Sequence, residues 1–172
     1  MEYQQTKLAK TPMTSEELLA SDRAEIARRM LLVIKTEGPI LDDVLEKRVL
    51  HSYGLKKRGN RIAPFFREIR LSLHAVTTTQ TSSDGQEHLV YWQESWRGKD
   101  IARLYDSFRA PSARDITEYP LIEVANLMQA LGPKKNRKTL WVELLHAMGF
   151  SKQGTQIRAT FKLAAAWLKA NR

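Results

Sequence analysis

Two stretches of the chain share one side-chain pattern at a constant offset of 95 residues, and this repeat limits the possible folds more than any other feature. The shared positions hold apolar residues, two glycines and a histidine, and their alignment needs no gap. The pairs are Leu45 and Leu140, Val49 and Leu144, His51 and His146, Gly54 and Gly149, Gly59 and Gly154, Ile62 and Ile157, and Phe66 and Phe161. The preceding segments match at an offset of 98, where Glu25 aligns with Glu123 and Met30 with Met128. The sequence therefore predicts an internal duplication of a helical unit.

The first copy is predicted to form three helices followed by a β-hairpin. A capping box at residues 22–25 begins the first helix, and Gly38-Pro39 ends it. The second helix covers about 42–52, and the third follows a basic turn. A β-branched stretch at 75–81 and an Asp84-Gly85 turn then indicate a hairpin. The second copy has no room for a hairpin. The predicted fold class is thus mainly α with a small β-hairpin: a winged helix-turn-helix followed by a second, wingless three-helix unit.

Four segments follow from this pattern. Residues 1–20 are polar and lack a clear period, so we expect a flexible lead. Residues 21–96 form the winged helix-turn-helix, and residues 97–119 are too apolar for a free tether, so we expect a packed connector. Residues 120–172 form the three-helix repeat unit.

The charge balance favours a polyanionic partner. The 172 residues carry a formal net charge of +9, with 28 basic and 19 acidic side chains. Residues 97–172 hold 14 basic and six acidic residues, and residues 47–74 hold eight basic residues and one acidic residue. Nucleic acid is the first expectation for such a chain, and an acidic membrane surface is the second. A run of charge is also typical of an ordinary solvated face.

Composition excludes several classes of protein. The chain has no cysteine, which excludes disulfides and thiolate metal sites and fits a reducing cytoplasm. No apolar run approaches the ~20 residues of a membrane span, and the first residues lack the basic and apolar regions of a signal peptide. We therefore expect a cytoplasmic protein without a membrane partner.

Several motifs resemble one bacterial family. Glu37-Gly38-Pro39-Ile40, the run from Gly54 to Ile62, and Gly149-Phe150-Ser151-Lys152-Gln153-Gly154 are similar to an uncharacterised winged-helix module. That module lies at the carboxyl terminus of large bacterial superfamily-one helicase proteins, which often also carry a restriction-endonuclease-like domain. The resemblance covers about residues 22–172 and implies a fold and a helicase or nuclease partner, but no active site. This chain lacks the helicase motor, so it is either a small stand-alone protein or a fragment of a longer one.

The sequence offers no catalytic constellation. It has no glycine-rich loop ending in Gly-Lys-Ser/Thr, which would bind nucleotide phosphates. No lysine follows an acidic residue at the spacing of a restriction-nuclease site. The four histidines lack metal-ligand spacing with an acidic partner. We therefore predict a protein that is not an enzyme, with no catalytic residue, no metal site and no cofactor.

Nucleic-acid binding is the sharper hypothesis. In a helix-turn-helix the third helix enters the major groove, where arginine and asparagine contact bases and lysine mostly holds phosphate. The predicted binding residues of the first copy are Lys57, Arg58, Asn60, Arg61 and Arg67. Those of the second copy and its basic loop are Lys134, Lys135, Arg137, Lys152, Arg158 and Lys162. We expect DNA rather than RNA as the ligand.

Protein docking is the alternative hypothesis. Many winged helices bind a neighbouring protein instead of DNA, and a helicase or nuclease subunit would be the partner here. The aromatic residues that would supply an apolar docking surface are Trp92, Trp96, Tyr105, Phe108, Trp141 and Trp167. We expect the same residues to form a core between the two halves instead.

Overall fold

The computed structural model describes residues 1–109, 113–132 and 134–172, and these residues are mainly helical. Helices α1 to α8 span Ser15–Leu19, Arg23–Glu37, Asp42–Ser52, Ile62–Leu71, Ile101–Leu104, Leu121–Leu131, Arg137–Ala147 and Thr155–Asn171. Strands β1, β2 and β3 span Ile40–Leu41, Val76–Thr81 and Glu87–Trp92. The prediction of a mainly α chain with a small β element is confirmed. The sheet is antiparallel and has three strands, because β1 joins the hairpin.

The chain forms two compact units. The first, called the N unit here, comprises residues 4–78 and 89–97. The second, called the C unit, comprises residues 1–3, 79–88 and 98–172. The base of the hairpin therefore belongs to the N unit and its end to the C unit. The four-segment division from the sequence stays a prediction.

Local capping and apolar spacing set the helices of the N unit. The carboxylate of Asp22 accepts a hydrogen bond from the Ala24 amide at 2.9 Å and so begins α2. Asp42 and Asp43 lie in the first turn of α3, where negative charge is favourable. Pro64 is the third residue of α4, within the first turn, so its missing amide costs no helical hydrogen bond. The buried apolar side chains of these three helices form the core of the unit: Ile26, Met30, Val33, Ile34, Val44, Leu45, Val49, Leu50, Ile62, Phe65, Phe66 and Ile69.

The sheet lies in the order β1-β3-β2. Ile40 of β1 pairs with Tyr91 of β3, and Leu41 pairs with Val90. All four of these side chains are buried, so the short strand adds apolar area to the core.

Residues 4–20, which the sequence predicts as a flexible lead, bond to the helices of the N unit. The Thr11 amide donates to the Ser52 carbonyl at 2.8 Å. The guanidinium of Arg29 in α2 donates to the Ala9 carbonyl at 2.9 Å. A capping box begins α1, because Thr14 and Glu17 exchange side-chain-to-backbone hydrogen bonds there.

The C unit has a core of its own around α6, α7 and α8. The buried apolar residues of this core are Ile116, Tyr119, Leu121, Val124, Ala125, Met128, Leu140, Leu144, Met148, Phe161 and Ala164. Helix α6 is the most apolar of the three, and it is buried along most of its length. Its first amide, at Leu121, donates to the Gln80 side chain at 2.9 Å.

A buried carboxylate lies beside this core. Glu123 of α6 is fully buried and pairs with Arg109 at 2.7 Å and with Arg114 at 3.0 Å. Burial opposes ionisation of Glu123, but the hydrogen bonds and charges of the two arginines outweigh it and hold its pKa below the usual range. Glu123 is therefore ionised at neutral pH, and the two buried guanidinium groups depend on its charge.

No helix in the described ranges is long and apolar enough to cross a membrane.

We predict that Glu123→Gln lowers the free energy of unfolding by about 3–5 kcal/mol at pH 7, because it leaves two buried arginines without their counter-charge. Since the folded-state pKa is depressed, the contribution of Glu123 is present above the usual glutamate pKa of 4.5 and is lost as the pH falls below it. Urea unfolding at pH 7 and at pH 3 measures both effects. The exposed Glu87→Gln is the control. Equal stability of the two variants at pH 7 would contradict this role.

Candidate nucleic-acid interface

The turn between α3 and α4 carries most of the predicted binding residues of the N unit. Helix α3 ends at Ser52, and Gly54 has a φ of 75°, which glycine adopts at low cost. The amide of Leu55 closes the helix by donating to the Leu50 carbonyl at 3.3 Å. The chain then leaves α3 in an exposed basic turn, residues 56–61.

Helix α4 begins directly after this turn. The carbonyl of Gly59 accepts the amides of Ile62 and Ala63, both at 3.1 Å, and this fixes the first turn of the helix. Arg61 occupies the N-cap position of α4, and Arg67 lies within the helix. The other three predicted residues, Lys57, Arg58 and Asn60, lie in the turn.

All five predicted residues of this region are exposed, but they differ in their partners. In the described structure the side chains of Lys57, Asn60 and Arg67 make no ion pair or hydrogen bond. Arg61 forms an ion pair with Glu16, and both side chains are about 70% exposed (69% and 73%). An exposed pair of this kind contributes little stability, so Arg61 can exchange Glu16 for another anion at low cost.

Arg58 has a different role, because it pairs with a buried carboxylate. Glu46 of α3 is 2% exposed and pairs with Arg58 through one oxygen. Its other oxygen accepts from the buried Arg70 of α4 at 2.8 Å. Arg70 also donates to the hydroxyl of Tyr91 at 2.9 Å. Arg58 therefore attaches the basic turn to the core of the N unit, and its charge is already compensated.

The pKa shifts of Arg70 and Tyr91 are consistent with this network of ion pairs and hydrogen bonds. Burial disfavours the charged form of Arg70, but the hydrogen bonds and charges of Glu46 and Tyr91 together outweigh it, so the pKa of Arg70 is raised. Burial likewise raises the pKa of the Tyr91 hydroxyl against the opposing effect of Arg70. The guanidinium thus stays charged and the phenol neutral. Sequence reasoning missed Arg70 and Glu46, although Arg70 follows Phe66 by four residues and so falls on the apolar stripe of α4.

The end of the hairpin is not cationic. Asp84 accepts a hydrogen bond from the Gln86 amide at 2.9 Å and lies 2.9 Å from His88. The Gln86 hydrogen bond, with the one to His88, lowers the pKa of Asp84. No lysine or arginine occurs between residues 76 and 92. This end therefore offers no cation to a phosphate backbone, and the carboxylates of Asp84 and Glu87 make it a poor phosphate clamp.

The predicted residues of the C unit are all exposed and fall into two groups. Lys135, Arg137 and Lys162 line one cleft of about 770 Å³ between α6, α7 and α8. The second group lies outside the lining of this cleft and comprises Lys134, Lys152 and Arg158. The cleft also contains Lys169 and Arg172, which sequence reasoning missed.

Three of the cleft cations have partners within the C unit, and one of them, Arg172, donates hydrogen bonds to the Asn126 and Gln129 side chains. Lys135 pairs with Glu143 at 2.6 Å. The guanidinium of Arg137 lies 4.3 Å from the centroid of the Trp141 ring. Lys162 and Lys169 make no ion pair in the part of the C unit that the structure describes.

Comparison with known proteins gives one match. A family model described as "Protein of unknown function (DUF3320)" matches residues 16–63, which include α2, α3 and the basic turn. The match covers less than a third of the chain and confirms the prediction of an uncharacterised domain. The association with helicase and restriction-endonuclease-like proteins stays a prediction. No curated protein and no solved structure matches the chain.

We expect Arg58→Ala to reduce the free energy of unfolding by about 1 kcal/mol, because Glu46 loses one of its two partners but keeps Arg70. The matched variant Arg67→Ala removes an exposed arginine without an ion pair and is expected to leave stability unchanged within about 0.5 kcal/mol. Urea titration followed by circular dichroism measures both. If Arg67→Ala proves the more destabilising of the two, Arg58 does not hold the turn.

Proposed function

We propose that this protein is a non-catalytic nucleic-acid-binding module in which residues 21–96 form a winged helix-turn-helix and residues 120–172 form a wingless three-helix copy of it. The order of elements supports this assignment: α2, β1, α3 and α4 are followed by the β2–β3 hairpin, and β1 pairs with β3. This is the order expected for a helix-turn-helix with a wing.

The element boundaries support the duplication. Helix α3, residues 42–52, corresponds to α7, residues 137–147, at an offset of 95 at both ends. Helix α2 begins at Arg23 and α6 begins at Leu121, an offset of 98. Gly54 and Gly149 have φ values of 75° and 78°, so both copies leave the second helix through a left-handed glycine.

The observation that carries the function is the group of uncompensated polar side chains around the start of α4. Lys57, Asn60 and Arg67 are exposed, and no acidic side chain of the described residues neutralises them. Folding does not use these charges, and Arg58 holds the turn that presents them. Lysine and arginine in such a position bind phosphate, and asparagine can read adenine through paired hydrogen bonds.

The proposed binding mode follows from this arrangement. Lys57 and Arg61 contact the backbone phosphates of duplex DNA, and Arg61 gives up Glu16 in doing so. Asn60 and Arg67, at the start and on the exposed face of α4, approach the base edges in the major groove. Arg58 is a positioning residue. Lys134, Lys152 and Arg158 of the C unit add further phosphate contacts. The resemblance to helicase-associated modules supports a helicase or nuclease as the neighbour of this complex.

Protein docking is a second candidate function. Leu71 on α4 is 54% exposed, and Leu31 on α2 is 47% exposed, so each unburied apolar side chain offers contact area. Of the aromatic residues predicted for such a surface, Trp92 and Tyr105 are buried, and Trp96, Phe108, Trp141 and Trp167 are half-buried. A helicase or restriction-like partner would contact the leucines.

We expect the double variant Lys57→Gln/Arg67→Gln to bind duplex DNA about tenfold to a hundredfold more weakly than the wild type, since it loses two cations. Fluorescence anisotropy with a labelled duplex of about 20 base pairs, between about 50 and 200 mM salt, measures this. The slope of log affinity against log salt should decrease by about 0.9, because Lys57 contacts a phosphate whereas Arg67 contacts a base edge.

The control for this experiment is Lys10→Gln/Lys35→Gln, which removes the same charge from exposed positions away from α4. The control should retain nearly all of the wild-type affinity. Equal weakening of both double variants would show that net charge, rather than this surface, determines binding. Salt-independent binding by the wild type would contradict the proposed function itself.

A further inference from the structure

The cleft of the C unit has one wall formed by a single face of α8. Lys162, Ala165, Lys169 and Arg172 line it and follow one another at intervals of three, four and three residues, which places them on one side of the helix. Ala165 is exposed and lies between the two lysines. Because Ala165 lines the cleft with a small side chain, a larger residue at this position would occupy part of the cleft.

The opposite wall and the floor combine charge with apolar surface. Lys135 and Arg137, around the start of α7, supply two cations. The floor contains Met128, Leu140 and Trp141. The volume of about 770 Å³ falls within the range of about 300–1,000 Å³ that is common for small-ligand sites.

The composition of the lining defines the chemistry of a ligand. Five of its side chains are cationic, and none is acidic among the described residues that line the cleft. An inorganic anion would not use the apolar floor, and an uncharged apolar molecule would not use the cations. A ligand that satisfies both parts has a flat, weakly polar body and an anionic end. A nucleobase with its phosphate has this combination.

We propose that this cleft binds a nucleoside phosphate, with the base on the apolar floor beside Trp141 and the phosphate at Lys162 and Lys169. Arg137, which already lies over the Trp141 ring, provides a planar guanidinium on which a base can stack. This inference rests on the proposed function. It adds that the C unit accepts an unpaired nucleotide, whereas the surface at α4 binds duplex.

The source of the nucleotide is a free mononucleotide or an unpaired stretch of a strand. A paired base is excluded in either case, because its faces are stacked within the duplex and cannot reach the floor of the cleft. We expect an unpaired strand to be the source, because several of its phosphates contact the cations of the cleft at once. Each of these contacts adds to the affinity for the strand.

The test is to reduce the volume of the cleft without changing its charge. Ala165→Leu places a larger side chain between the two lysines, and leucine is nearly as good a helix former as alanine. Ala166→Leu is the matched control, because Ala166 is also exposed on α8 but does not line the cleft. Circular dichroism and thermal unfolding should show both variants folded as the wild type.

Fluorescence anisotropy with a labelled oligothymidylate of about 12 nucleotides measures binding by the wild type and both variants. Ala165→Leu should weaken binding about tenfold, consistent with the loss of one stacked base, while Ala166→Leu stays within about twofold of the wild type. Unlabelled thymidine monophosphate, added as a competitor, identifies the source: competition at micromolar concentration indicates a free nucleotide, and competition only at millimolar concentration indicates the strand.

The salt dependence of oligothymidylate binding gives a second, independent measurement. Lys162→Gln/Lys169→Gln should lower the salt slope for oligothymidylate by about 1.4, the value for two phosphates of a single strand. Binding of duplex separates the two proposals. If oligothymidylate binds all variants equally while duplex still depends on Lys57 and Arg67, the cleft proposal is wrong and the proposed function stands. If neither polymer binds the wild type, both are wrong.

Discussion

The buried carboxylate of Glu46 is the interaction on which the candidate surface of the N unit depends. A buried, ionised carboxylate costs several kcal/mol unless its oxygens are paired. Here one oxygen accepts from Arg70 of α4 and the other from Arg58 of the basic turn. Because the three residues come from α3, the turn and α4, their charges fix all three segments together. The turn therefore presents Lys57 and Asn60 in a defined position, without using their side chains for folding.

The helices of this region could be predicted from the sequence because local rules determine them. Apolar spacing predicted α3, and Gly54 marked its end, since a left-handed residue is needed there. The roles of the cations could not be predicted in the same way. Arg58 and Arg67 are equivalent in a count of charge, but only Arg58 meets a buried acid. The different roles of Arg58 and Arg67 depend on Glu46, twelve residues before Arg58, and on the tertiary packing that brings Glu46 to Arg58. The spacing of apolar residues along the sequence does not predict that packing.

In the C unit, too, some cations pair with a buried carboxylate and others remain on the surface. Residues 97–172 have a net charge of +8, but Arg109 and Arg114 neutralise the buried Glu123 and contribute nothing to an outer surface. The cations that remain outside include Lys162 and Lys169, on either side of a small residue. The sequence signalled Lys162 through the repeat. The sequence did not predict the cleft, because Ala165 contributes to it only by having a small side chain.

Hydrogen–deuterium exchange of the full chain, with and without saturating duplex DNA, tests the central claim most directly. The amides of residues 56–61 lie in an exposed turn and should exchange rapidly in the free protein. If phosphates bind at Lys57 and Arg61, DNA will slow exchange across this turn and leave the end of the hairpin, residues 82–86, unchanged. DNA that binds the protein but leaves the exchange of residues 56–61 unaltered would contradict the account.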